Sequence, residues 1–226
     1  MAERSKRYRE SLKLVDRARK YELAEAVKLL KSFKPGKFDE TIEIAMKLGV
    51  DPKQSDQVVR GSVSLPKGIG KSKRVIAFCV GDKADAAKKA GAIEAGGEDL
   101  VKKVEGGWMD FDVAIASPDV MRLVGKLGRI LGPQGKMPSP KSGTVVDDVE
   151  TAVREFSAGK VEYRTDAGGN VHAIVGKLSF SPEDLMANIK SFIEHIEASR
   201  APSVKGIFVQ KVSISASMSP GIKVAV

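Results

Sequence analysis

From Lys37 onward the chain alternates. Ile42, Ile44 and Met46 interleave with Thr41, Glu43 and Ala45, the period of two expected of a strand with one buried face. The pattern returns between Val58 and Leu65, where Val59, Gly61, Val63 and Leu65 share one side and Arg60, Ser62 and Ser64 the other, predicting a second strand. Two strands alone make a marginal sheet, so this opening pair needs partners from elsewhere in the chain. Upstream, Leu23, Val27 and Leu30 fall at i, i+4 and i+7, an amphipathic helix over 22–33 that Pro35 and Gly36 end. Residues 4–20 read as a basic arm, helical or loosely ordered.

Between 74 and 159 the rhythm becomes strand, helix, strand, helix. Arg74–Val80 and Val113–Ala116 are near-continuous apolar runs, the mark of strands buried on both faces. Ser117, Pro118 and Asp119 predict a helix start capped by the serine hydroxyl, with proline at the first helical position. Val149, Ala152, Val153 and Phe156 trace a helix face that stops near Gly159. Alternation of this kind predicts a small open α/β layer structure with parallel strands.

After Gly159 the β pattern resumes. Val161 and Tyr163, the turn cluster at 166–170, and Val171, Ala173 and Val175 predict a hairpin. A helix follows, capped at Ser181 with Pro182 and Asp184 and striped by Leu185, Ile189, Phe192, Ile193 and Ile196. Ile207–Ser215 predicts a last strand. Each chain end is too small to fold alone, and pattern permits one α+β domain built from residues 1–67 plus 159–226, interrupted by an α/β insertion at 68–158.

Composition supports globular cores, with 42% apolar residues in 226. The single cysteine, Cys79, lies in an apolar run, so no disulfide framework exists and the thiol reads as a small buried hydrophobe in a reducing compartment. No apolar window has the length of a membrane span and no export signal opens the chain, so a cytoplasmic protein is expected. Charge is uneven. Residues 1–67 hold 16 basic against 10 acidic side chains, 68–158 hold 14 against 13, and 159–226 hold 8 against 6. The positive charge of both ends suggests a shared surface for a polyanion, a well-solvated basic surface being the equal alternative.

Enzyme chemistry finds little footing. Pro66–Ser72 ends in Gly-Lys-Ser like a phosphate loop, but Leu65 occupies the first glycine position and a strand follows where a helix is required. Asp110 with Asp112 and Asp147 with Asp148 are carboxylate pairs, read as a loop pair and a helix cap. His172 and His195 lie far apart, and no Cys/His metal spacing, nucleophile elbow or dinucleotide fingerprint is present. No cofactor is expected. A nucleotide-dependent enzyme using the α/β middle remains the alternative.

Residues 125–144, GKLGRILGPQGKMPSPKSGT, resemble the signature loop of the L1 family of large-subunit ribosomal proteins, the stalk protein beside the tRNA exit site. Phe38-Asp39-Glu40-Thr41, Ser55-Asp56-Gln57, residues 60–66 (RGSVSLP) and residues 211–218 (KVSISASM) are similar to that family in the same order. The resemblance implies a non-enzymatic ribosomal constituent, monomeric when free, with a discontinuous first domain, an inserted Rossmann-like three-layer domain, and hinges near Lys67 and Gly159. It implies partners too: stalk rRNA, exit-site tRNA and a similar stem in the protein's own mRNA leader, through which it would repress translation.

The family's rRNA site maps onto Lys37, Phe38 and Thr41 at the opening strand and onto Ser217 and Met218 near the carboxyl end, with Arg164 and Lys177 as added contacts. Two departures stand out: Ser219 where the family usually has glycine, and Gln134 with Lys136 where it usually reads Pro-Arg-Gly-Leu-Met. Lysines and arginines would supply salt-sensitive attraction to phosphates, and the Thr41 and Ser217 hydroxyls suit 2′-hydroxyl or phosphate oxygens. Read as residues alone, Phe38 and Met218 are core candidates; the resemblance places them on RNA. With 5% aromatic residues, base stacking is not the main mode and recognition of a folded RNA's shape is expected.

Overall fold

The computed structural model describes residues 4–54 and 56–225. Ser55, the first residue of the Ser-Asp-Gln motif, lies outside them. In chain order come α1 (Lys6–Lys13), α2 (Leu23–Ser32), β1 (Thr41–Leu48), β2 (Arg60–Val63), β3 (Val75–Phe78), α3 (Asp82–Lys89), β4 (Glu94–Gly96) and α4 (Glu98–Glu105). They are followed by β5 (Val113–Ala116), α5 (Met121–Val124), α6 (Gly128–Leu131), α7 (Val149–Ser157), β6 (Val161–Arg164), β7 (Asn170–Lys177), α8 (Pro182–Ala198), β8 (Val209–Ala216) and β9 (Ile222–Val224). Among the described residues the fold is mixed α and β with three sheets. Contacts divide the chain into two compact units, Met1–Gly70 with Val161–Val226, and Lys71–Lys160.

In the first unit an antiparallel sheet runs in the order β7-β1-β8-β9. β1 is central because both its edges are taken: Ile44 lies opposite Ala173 on one side and Ile214 on the other. Ile42, Ile44 and Met46 are fully buried, as their alternation requires, and pack with Val27 and Leu30 of α2 and Leu185, Ile189, Phe192 and Ile196 of α8. Each such side chain contributes about 1.5–3 kcal/mol by leaving water, so this shared core ties the two chain ends together.

The two opening strands, expected to belong to one sheet, do not pair. With no edge of β1 left free, β2 pairs with β6 in a separate two-stranded sheet, Val63 opposite Val161. The predicted hairpin is likewise joined only at its turn. Asp166 N donates to Asn170 O at 2.8 Å, while Thr165 N is drawn to Val59 O at 2.9 Å, so β6 leaves with β2 and β7 with β1. Ile207, placed in the last strand by its pattern, is 76% exposed and β8 begins two residues later. The short strands β4 and β9 were not predicted: β4 is half-buried throughout, and the alternation of β9 spans only Ile222, Lys223 and Val224.

The helix start at Ser181 holds: its hydroxyl accepts Asp184 N at 3.1 Å. Asn188, fully buried on α8, bonds both Lys67 N (3.0 Å) and Gly68 O (2.9 Å), so the segment where the resemblance implies a hinge is fastened to the first unit there.

The second unit is a parallel sheet in the order β4-β3-β5. Alternate residues of its strands serve opposite faces. Ile76, Phe78, Ala114 and Ala116 pack with α4, α5 and α6, whereas Val75, Ala77, Cys79, Val113 and Ile115 pack with α3 and α7. Helices on both faces explain the unbroken apolar runs. Burial pushes the Cys79 thiol pKa up, in keeping with a packed hydrophobe. Ser117 does not cap: Pro118 opens a 3-10 turn without a side-chain bond from the serine hydroxyl, and Ser117 instead donates its backbone N–H to Phe78 O at 2.9 Å. Among the described residues no helix is long and apolar enough to cross a membrane.

Candidate nucleic-acid interface

Because β1 runs antiparallel to both β7 and β8, its first residue meets the last residues of its neighbours. Thr41 lies opposite Lys177, and Ile42 opposite Ala216. The loop before β1 and the turn after β8 therefore emerge at one end of the sheet, bringing Lys37, Phe38, Thr41, Lys177, Ser217, Met218 and Ser219 together from three distant parts of the chain.

Thr41 N donates to Ser217 Oγ at 3.1 Å, and Lys177 Nζ donates to Thr41 Oγ1 at 2.7 Å. Ser219 closes the turn: its N–H donates to Ala216 O at 3.0 Å and its Oγ accepts Ala216 N at 2.9 Å. Among the described residues only glycines adopt positive φ, so serine sits at this turn without backbone strain. Phe38 is 55% and Met218 54% exposed, which overturns core packing for both. Lys37 is exposed beside them. Arg164 is not part of this cluster; it is exposed on β6, opposite Arg60 in the two-stranded sheet.

Sequence reasoning missed the group beneath the cluster. Glu40 is 3% exposed; its Oε1 accepts Gly36 N at 2.7 Å and its Oε2 accepts Met218 N at 3.2 Å, with Arg7 Nη1 3.6 Å from Oε1. Its neighbour Asp39 accepts Ser179 N at 3.1 Å and the Ser179 hydroxyl at 2.8 Å. Glu40 stood inside the Phe38–Thr41 motif, but an acidic pair at the mouth of a strand in a basic segment reads as solvated surface until the partners are seen.

The carboxylate pairs serve the fold. Asp148 Oδ1 caps α7 by accepting Thr151 N at 3.2 Å; the Thr151 side chain, and then that N–H, hold its carboxyl below the ordinary range. Arg74 pairs with both Asp110 and Asp112, and its backbone N–H to Asp112 is the main cause of the lowered Asp112 pKa. The histidines are engaged separately, His195 Nε2 3.0 Å from Tyr163 Oη and His172 Nε2 3.7 Å from Asp166. Among the described residues no three His, Cys, Asp or Glu side chains are grouped to hold a metal.

A cleft opens between α3 and the start of α7. Asp82, Asp147, Asp148 and Glu150 line it with Lys83 as the sole cation, a charge balance that repels polyphosphate.

A family model described as the ribosomal protein L1p/L10e family matches residues 30–220, a span that takes in both halves of the Phe38–Met218 cluster and the whole inserted unit. The chain belongs to the ribosomal protein L1p/L10e family, structural proteins of the large ribosomal subunit rather than enzymes.

Proposed function

We propose that the cluster at the end of the four-stranded sheet binds large-subunit rRNA at the mobile stalk, and that the protein, a cytoplasmic ribosomal constituent and a monomer when free, assists movement and release of exit-site tRNA. In the same reading it represses translation by binding a similar stem in its own mRNA leader. The observation that carries the proposal is the exposure of Phe38 and Met218, two large apolar side chains standing on a polar, hydrogen-bonded base with Lys37 and Lys177 close by. Scattered exposed apolar residues need no explanation, but two from opposite ends of the chain, carried on segments that meet at one end of the sheet with hydroxyls and ammonium groups, form a surface for sugar and base edges framed by phosphate contacts. Arg164 would add a phosphate contact at a distance from the cluster. The unit built from both chain ends acts as the anchoring domain, and the inserted Rossmann-like unit is a second domain tethered at Pro66–Gly70 and near Gly159.

Binding to a stem–loop transcript of stalk rRNA, followed across salt concentrations for wild type, Phe38→Ala and Ser217→Ala, tests this. Tight binding that weakens with salt and in both variants is expected. Binding no better than to a random duplex, unchanged by the substitutions, overturns it.

A further inference from the structure

A carboxylate is the wrong charge to keep beside a polyanion, yet Glu40 lies under the two exposed apolar residues of this surface. Its oxygens are divided between two chain segments that carry those residues: Oε1 takes the N–H of Gly36, two positions before Phe38, and Oε2 takes the N–H of Met218 itself. The Glu40 carbonyl accepts Leu178 N at 2.9 Å, fixing its backbone to the end of β7. Arg7 brings α1 to the same carboxylate. The seating is close: a Cβ on Gly36 would stand 3.0 Å from Glu40 Oε1 and 3.1 Å from Arg7 Nη1.

We propose that Glu40 is a positioning residue for RNA recognition, setting the separation and orientation of Phe38 and Met218 in the free protein, with Arg7 balancing its charge. This rests on the RNA-binding reading above. Two backbone N–H groups clamped by one buried carboxylate make a short, charge-assisted link between the loop before β1 and the turn after β8, beside the neutral Ser217–Thr41 bonds. Order built in before RNA arrives removes a cost that binding would otherwise carry.

The proposal and plain electrostatics predict opposite signs. Removing a negative charge next to RNA should tighten binding; removing a positioning group should weaken it. The test compares wild type, Glu40→Gln (shape kept, charge lost) and Glu40→Asp (charge kept, reach lost) on the stalk stem–loop transcript and on a random duplex, with thermal melts of the free proteins. Both variants should bind the stem about fivefold or more weakly with an unchanged salt slope, and lose almost nothing further in a Phe38→Ala/Met218→Ala background.

Equal or tighter binding by Glu40→Gln, or an equal loss in the double-variant background, overturns the role while leaving the RNA-binding reading intact. Wild type that does not prefer the stem overturns both. Should the variants fail to fold, backbone relaxation of the free wild-type protein decides: Gly36, Phe38 and Met218 amides as rigid as β1 support positioning, and fast, large-amplitude motion there refutes it.

Discussion

Thr41 and Ser217 are 176 positions apart and close on each other twice: Ser217 N donates to Thr41 O at 3.0 Å, and Thr41 N donates to Ser217 Oγ at 3.1 Å. The Ser217 hydroxyl also lies 3.3 Å from the Thr41 carbonyl, to which it donates. A hydroxyl has one proton and two lone pairs, so Ser217 keeps a single acceptor position for any RNA partner.

That arrangement makes Ser217 a clamp first and a contact second. Ser217→Ala should cost about 0.5–1.5 kcal/mol of stability, because the Thr41 N–H loses its acceptor at an exposed site where water can replace it. Ser217→Thr should keep both bonds. Phe38→Ala, in contrast, should leave the urea midpoint of the free protein in place while lowering stem affinity by about 1 kcal/mol or more. A Phe38→Ala protein that is destabilised but binds RNA normally would show that the exposed ring serves the fold.

Lys177 and Thr41 can be separated by salt. One Lys177 proton is committed to Thr41 Oγ1, leaving two donors on the ammonium for a phosphate. Lys177→Gln should reduce the slope of log affinity against log salt by about 0.7–0.9, the change expected for one lost phosphate contact. Thr41→Val should weaken binding with the slope unaltered. Equal slopes for wild type and Lys177→Gln would remove Lys177 from the interface.

Asn188 is a costly polar residue to lose. Fully buried on α8, it serves Lys67 N, Gly68 O and Val175 O, the last at 2.8 Å. Asn188→Leu takes the partner from all three, Val175 O in the interior and Lys67 N and Gly68 O where burial is partial, at about 1–3 kcal/mol for each that water cannot reach. A loss of about 2–4 kcal/mol in urea unfolding is expected, with the segment 66–70 becoming the first site of proteolytic cleavage. A loss below about 1 kcal/mol would mean that water enters and satisfies them.

How far the sequence could be read depended on whether local pattern or distant partners decided the outcome. Ile42, Ile44 and Met46 announced a buried face because alternation is local, and Ser181 announced its cap because the bonded N–H is three residues away. Val113–Ala116 was legible as a two-faced strand because helices cover both sides. Pairing was not: nothing local in Val59–Leu65 says that β1 has both edges occupied, or that Thr165 will tie to Val59. The candidate site divides the same way. Lys37, Phe38, Thr41, Ser217 and Met218 were found through their likeness to a family, whereas Glu40, the group that joins them, has its partners at positions 7, 36 and 218 and no pattern of its own.

Acid should release the turn between β6 and β7 at an unusual point. Asp166 Oδ1 accepts Gly168 N and Asn170 N, each at 2.8 Å, and Asn170 Nδ2 reaches Oδ2 at 3.0 Å. The Asn170 side chain, then its N–H and that of Gly168, with the charge of His172 nearby, draw the carboxyl from 3.8 down to about 2. A folded pKa below the unfolded one means that the unfolded chain takes up the proton first as pH falls. The stabilisation is therefore complete above about pH 4 and disappears as pH drops through about 2. Asp166→Ala should accordingly melt below wild type at pH 6, with the gap closing between pH 4 and pH 2. Carbon-detected titration of the Asp166 carboxyl gives the same midpoint directly. A gap that stays constant across that range would assign the turn's stability to the packing of β6 and β7 and not to the carboxylate.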